Sequence, residues 1–372
     1  MDALTIAGAI LGLGLLIVVH EAGHFVVARL CGMRVERFSI GFGPGVLRWR
    51  SKGGTLFQIA PIPFGGFVEI KGMAIAEDVD PDDKAAYPNR PVWQRIATIF
   101  AGPGTNYLTA VVLAFVLFNC AGVEHYTRYY GVANLHKDFD AAKKLKPGDR
   151  LLAINDQPLY YRGPDGKKTE MCVATAKIGD GIARLSILRD GKPLTVEVQP
   201  KFDDLKGLSE KERNDPSVPA VCRGPRWRLG IEGWQIQTDR VEVGLFTAAG
   251  HAVAYPVETT ISYFSGIIKV IQGTEKAEVK GPVGMTTFIK QAIEEGWITA
   301  LKLLMLLNVL LAIMNLFPLP GLDGGRLAFL GYELVTRRRA NPKVETTVHM
   351  VGILILMVVL VLVTVKECRA MF

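Results

Sequence analysis

The sequence predicts a multi-span α-helical membrane protein with four core transmembrane helices, a membrane-associated β region and an inserted β-rich extracytoplasmic domain. Three observations carry that prediction. Hydrophobic residues make up 49% of the 372-residue chain and charged residues 21%, with a mean hydropathy of +0.24. The two kinds are segregated, so long uncharged runs alternate with highly charged ones, as in a membrane protein that carries a soluble domain. Between the runs lie short alternating stretches broken by Gly and Pro, the mark of strands and turns.

The formal net charge is +7. The basic residues gather beside apolar runs, where membrane topology accounts for them, so no nucleic-acid partner is expected. The five cysteines, Cys31, Cys120, Cys172, Cys222 and Cys368, are scattered without a CxxC pair. They indicate neither a disulfide framework nor a thiolate metal site, although Cys172 and Cys222 can pair if their region is extracytoplasmic.

A bilayer span takes about 20 residues, and four segments meet that length. The first helix occupies residues 1–30, its apolar part running from Leu4 to Ala28. It lacks a basic n-region and a cleavage site, so an uncleaved helix is expected rather than a signal peptide. Residues 31–95 read as a cytoplasmic β region with a loop. VERFSIGFGPGVLRWR and TLFQIAPIPFGGFVEIKGM alternate like strands of a small sheet or hairpin lying against the membrane, and acidic 77–90 reads as a mobile loop. The second span, 96–123, contains no charge.

Residues 124–202 read as a compact soluble domain. LKPGDRLLAINDQPL is a turn, a strand and a turn, and ARLSILRDGKPLTVEVQ is a hairpin with Asp190-Gly191 at its tip. Residues 203–243 read as an extension or linker. Residues 244–295 read as interfacial or re-entrant helices, with a fifth span over 244–273 as the alternative. The third span lies within 296–322, an LDG turn and cytoplasmic loop within 323–348, and the fourth span within 349–366. Lys and Arg crowd the segments between spans one and two and between spans three and four, which places both in the cytoplasm. The domain between spans two and three is then extracytoplasmic.

The first span holds the chemistry, in HEAGH at residues 20–24. Ionisable groups at membrane depth cost roughly 2.5–3.5 kcal/mol each on insertion scales, so they need a compensating role. His20 and His24 are one helical turn apart on one face, where two imidazoles can share a tetrahedral zinc ion. Glu21 beside them can take a proton from water and pass it on. Catalytic zinc commonly has three protein ligands, so a third is required at similar depth. The third span ends in NLFPLPGLDGGRL, where Pro318 and Pro320 break the helix. Asp323 lies there, at the cytoplasmic end, and is the expected third ligand. Asn315, in the broken part of that span, can donate to a substrate carbonyl or oxyanion.

HEAGH and NLFPLPGLDGG together resemble the site-2 protease family, zinc metalloproteases that cut within membranes. Both family patterns, HExxH and NxxPxPxLDG, are met at every specified position. FSIGFGP and FGGFVEIKGM resemble the family's membrane-associated β region. NRPVWQRIATIFAGPGTNYLTA resembles the start of its second core span. LKPGDRLLAIND resembles a PDZ domain, the module inserted in bacterial regulator-of-sigma-E-type proteases. The resemblance implies Zn2+ held by His20, His24 and Asp323, Glu21 as general base, and Asn315 positioning substrate. It also implies that the strand around Gly65, Gly66, Phe67 and Val68 pairs with an unwound substrate.

The expected protein is therefore a zinc metalloendopeptidase of the bacterial inner membrane. Its substrates would be single-pass membrane proteins, such as anti-sigma factors or signal-peptide remnants, met in the lipid bilayer. A zinc transporter or a non-catalytic PDZ-type scaffold are the other classes the sequence leaves open. A transporter needs a polar path that spans two and four offer little of, and a scaffold has no need of Glu21.

Overall fold

A computed structural model describes residues 3–73, 79–161, 163, 171–203, 226–273 and 281–371. The chain divides into two units, Met1–Ala121 with Val243–Phe372, and Gly122–Glu242. In the first unit, α1 (Ala3–Leu30) is one unbroken helix of 28 residues, about 42 Å long at the rise of an α-helix. Four strands follow, β1 (Val35–Phe42), β2 (Leu47–Arg50), β3 (Leu56–Ile59) and β4 (Ile62–Ile70). The small sheet or hairpin read from the sequence is a four-stranded mixed sheet. Its order is β2-β3-β1-β4, with β1 parallel to β3 and antiparallel to β4.

Aromatic contacts hold this sheet to the second half of α1. Phe25 meets Phe38 and Phe57 edge-on, with ring centres 5.6 and 5.5 Å apart, and Trp49 stacks on Phe57 at 5.5 Å. Each pair adds about 0.5–1.5 kcal/mol beyond its buried area. Buried Ala28, Met33, Val35 and Ile70 close the seam. Of the loop read over 77–90, residues 77 and 78 lie outside the described residues. The rest is tied down rather than loose. Lys71 pairs with Asp83 at 2.7 Å, and the Asn89 amide donates to the Asp80 and Asp83 carbonyls at 2.9 and 3.0 Å. Helix α2 (Val92–Ala121) starts directly after Pro91, four residues earlier than the charge-free run suggests.

The second unit contains β5 (Val123–Leu135), α3 (Ala141–Lys144), β6 (Arg150–Ile154), β7 (Gln157–Pro158), α4 (Met171–Ala176), β8 (Ala183–Arg189), β9 (Lys192–Val198), β10 (Lys201–Asp203), β11 (Arg226–Arg228) and β12 (Ile231–Val241). The main sheet runs β12-β5-β6-β8-β9, with β7 on β6, and β10 pairs with β11 separately. Val132, Leu151, Leu185, Ile187 and Val198 fill its core. The turn–strand–turn read over 145–159 is present as β6, a turn and β7. The β8–β9 hairpin turns at Asp190 and Gly191, both at positive φ (50° and 76°), as a two-residue I′ turn requires. The boundary read at residue 202 is wrong. Strand β12 returns to pair with β5 from Ile231↔Leu135 to Val241↔Val123, so the unit closes at Glu242. Polar Gln235, Gln237 and Asp239 alternate along this edge strand, so no apolar run marks it. Of the pair Cys172 and Cys222, Cys222 lies outside the described residues, and the side chain of Cys172 is not described.

The first unit resumes with α5 (Leu245–Ile271), α6 (Pro282–Glu294), α7 (Trp297–Leu316), α8 (Asp323–Thr336) and α9 (Pro342–Met371). Helix α5 runs without a break through Pro256. Its small buried residues Ala248, Ala252 and Pro256 recur every fourth position, and Ala252 packs with Ala114 and Leu117 of α2 and Met305 of α7. The cytoplasmic loop read over 323–348 contains the 14-residue helix α8. Its opening Gly324-Gly325 reads as a turn, which concealed it. Three helices among the described residues are long and apolar enough to cross a membrane, at Val92–Ala121, Trp297–Leu316 and Pro342–Arg369.

Candidate metal centre

His20 and His24 sit in the C-terminal half of α1, 7% and 6% exposed, with their Nε2 atoms 3.1 Å apart. The chain leaves α7 at Phe317, passes Pro318 and Pro320, and re-enters helix at Asp323. That break places Asp323 Oδ2 3.1 Å from His20 Nε2 and 3.3 Å from His24 Nε2. His24 Nδ1 lies 2.8 Å from the Thr98 carbonyl oxygen of α2. A carbonyl only accepts, so Nδ1 carries the ring proton and Nε2 of the neutral ring presents a lone pair. Asp323 Oδ2 is buried without a hydrogen-bond donor among the described residues. Lone pairs thus converge on a single point, an arrangement that a cation relieves. Three tetrahedral ligands at zinc's usual bond lengths stand about 3.3 Å apart, close to the 3.1, 3.1 and 3.3 Å found. The residues present fit a zinc ion.

Two further groups orient the ring of His20. Asn106 is fully buried in α2, with its amide 3.2 Å from His20 Nδ1. When Nδ1 carries the proton and Nε2 is a ligand, the amide must face it with oxygen. Among the described residues Asn106 Oδ1 has no other partner, and the half-turn of the amide that brings it to Nδ1 gives the ring N–H an acceptor. Gly102, one helical turn before, lies against both imidazoles, where any Cβ would collide with the ring atoms of His24 and His20. At Gly23 of α1 a Cβ would strike the Ala101 carbonyl oxygen, so the glycine lets α2 pack close. Asn106 was visible in the sequence as the amide residue of GPGTN inside an uncharged span. The Thr98 carbonyl carries no sequence signal, because every residue has one.

Glu21 is partly buried, with the Val68 backbone N–H of β4 directed at its carboxylate. A Cβ on Gly66 would lie 3.5 Å from Glu21 Cγ, so the edge strand runs directly past this carboxylate. Gly65 holds φ +148°, where a side chain would strike the Phe42 ring. Phe67 stacks on Phe42 at 6.3 Å. The four residues 65–68 therefore share one strand beside Glu21. Asn315 stands in the last turn of α7, before the break rather than in it, and among the described residues no hydrogen bond joins it to the histidines or Asp323. His349 of α9, unremarkable in the sequence, accepts the Gly321 N–H at 2.9 Å and holds the turn that delivers Asp323.

Residues 8–359 match the family model described as Peptidase family M50. A protein of Brucella suis biovar 1 is 28% identical over 364 residues, covering 93% of this chain and 90% of its own. One of Mesorhizobium japonicum is 30% identical over 362 residues, covering 93% of each. One of Fusobacterium nucleatum subsp. nucleatum is 29% identical over 368 residues, covering 98% of each. All three have names that describe a zinc metalloprotease.

Proposed function

This chain belongs to peptidase family M50, the site-2 protease family of zinc metalloproteases, and from that premise we propose that it hydrolyses a peptide bond within or near the transmembrane segment of single-pass membrane proteins. The observation that carries the proposal is the triangle of His20, His24 and Asp323 with Glu21 alongside and the β4 edge passing it. In this reading His20, His24 and Asp323 hold zinc. When bound, the ion supplies Lewis-acid polarisation and brings the pKa of a water to about 7. Glu21 takes the proton from the attacking water and returns it to the leaving amine. Asn106 and the Thr98 carbonyl keep both imidazoles in the tautomer that presents Nε2.

A peptide carbonyl inside an intact helix is already hydrogen-bonded and shielded. Residues Gly65, Gly66, Phe67 and Val68 would take the substrate as an added strand, which exposes its carbonyls. Asn315 would donate to the substrate from the end of α7. Four spans, α1, α2, α7 and α9, would place the site toward the cytoplasmic face of the bacterial inner membrane. The unit 122–242 would be extracytoplasmic and PDZ-like, acting as a size filter or binding a newly cut C-terminus. Anti-sigma factors and signal-peptide remnants are the substrate classes that suit such a site.

The test is Glu21→Gln, assayed for bound metal and for cleavage of a tagged single-pass substrate in reconstituted membranes. Zinc retained with cleavage lost by a factor of about a hundred or more, the scale of removing a general base, is the expected result. Unchanged cleavage would remove Glu21 from the reaction.

A further inference from the structure

We propose that the Arg95–Glu333 ion pair is a positioning device that sets Asp323 against the two histidines; the proposal rests on the metalloprotease reading above. Arg95 lies in the first turn of α2, and Glu333 lies in the last turn of α8, at the opposite end of that helix from Asp323. The guanidinium grips the carboxylate with both arms, Nη1 to Oε2 at 2.9 Å and Nη2 to Oε1 at 2.5 Å. The third donor, Nε, reaches the Arg90 carbonyl at 3.0 Å. The two side chains are 7% and 17% exposed. Arg339 approaches Glu333 from the solvent side at 3.5 Å, half exposed.

A buried ion pair is weak evidence of stability, because desolvation of both charges offsets their attraction. Its best-attested use is to fix register, and the fork geometry of Arg suits that use. The register at stake is legible in α2. Thr98, three residues after Arg95, orients His24; Asn106 orients His20; Arg95 holds the helix that begins with Asp323. One helix therefore references all three candidate ligands. The start of α8 is fixed by the turn that His349 holds, and its end by Arg95. Released at its end, α8 can pivot about its first turn, and a metal site tolerates only about 0.5 Å of such displacement.

The experiment uses the full chain in detergent, stripped of metal and titrated with Zn2+ against a chromophoric chelator, with Co2+ absorption as a report on ligand geometry. Arg95→Met combined with Glu333→Met removes both charges at similar volume. The expected result is a melting temperature near the parent's, zinc affinity lower by about tenfold or more, and a weakened tetrahedral cobalt band. In the substrate assay kcat falls while KM stays. A folded double variant with the parent's zinc affinity and cobalt spectrum overturns the proposal, because the pair then only supports the fold. If the double variant fails to fold, Arg95→Lys and Glu333→Gln carry the same comparison, and parental affinity in both overturns it. A parent that binds no zinc fails the metalloprotease reading itself. A parent that binds and cleaves beside unaffected variants fails this proposal alone.

Discussion

Asn106 shows how one polar atom decides chemistry in an apolar helix. It is completely buried, and leaving its amide unpaired costs about 1–3 kcal/mol. Facing His20 with oxygen pairs the acceptor of that amide with the ring N–H and fixes the ring's tautomer. Asn106→Ala is expected to weaken zinc binding by about 10–100-fold, read by chelator competition on the purified protein. Asn106→Asp keeps an acceptor in place and is expected to bind zinc more tightly than the alanine variant. Equal zinc affinities for the parent and both variants would show that His20 needs no orienting partner. Gly102 belongs to the same logic, because α2 approaches α1 closely enough that its backbone, not a side chain, walls the histidines.

Among the elements, β4 links the sheet to the site. It is an edge strand, its partner on one side is β1, and its Val68 N–H points to Glu21. Proline at that position has no N–H to offer and cannot extend a ladder there. Val68→Pro is therefore expected to keep zinc while lowering kcat/KM by about tenfold or more, the scale of losing a group that positions reactants. Cleavage at the parental rate would separate β4 from catalysis. Helix α8 makes the complementary point at the other end of the site. Its first residue is the candidate ligand and its last turn is clamped by Arg95, so the helix is a lever with both ends accounted for.

At the scale of the whole molecule, the charge pattern and the second unit make separate predictions. With native cysteines replaced by serine, Lys192→Cys at the β8–β9 turn is expected to react with a membrane-impermeant thiol reagent added outside intact cells. Arg338→Cys, after α8, is expected to react only once the membrane is opened, and the reverse pattern would invert the topology. The second unit also carries an acid-sensitive joint. Burial by itself would raise the Asp149 carboxyl, but the Arg189 guanidinium at 2.7 and 2.6 Å and the Lys146 N–H at 2.7 Å hold it below the usual range. A carboxyl lowered on folding contributes stability that is complete above its unfolded value, about 3.9, and is lost as pH falls through the folded one. Thermal unfolding of the full chain is thus expected to show this unit weakening from about pH 4 downward. Asp149→Asn is expected to be less stable at neutral pH and to flatten that slope.

How much of this was legible beforehand follows from the range over which each contact acts. His20 and His24 are four residues apart, and helical periodicity alone puts them on one face. Pro318 and Pro320 announce a break by the chemistry of their own rings, so Asp323 stands out as the acid beside it. Alternation and turn residues likewise mark the β8–β9 hairpin, whose contacts are local. The sequence by itself therefore determined the membrane character and marked the candidate ligands and the candidate base. Tertiary structure decided the rest, because those contacts join residues far apart: Thr98 to His24 across 74 positions, Asn106 to His20 across 86, Arg95 to Glu333 across 238. The closing of the second unit by β12, hidden behind its polar alternation, is of the same kind. Backbone carbonyls and paired charges acquire meaning only when packing brings them opposite a partner, and no spacing along the chain encodes that encounter.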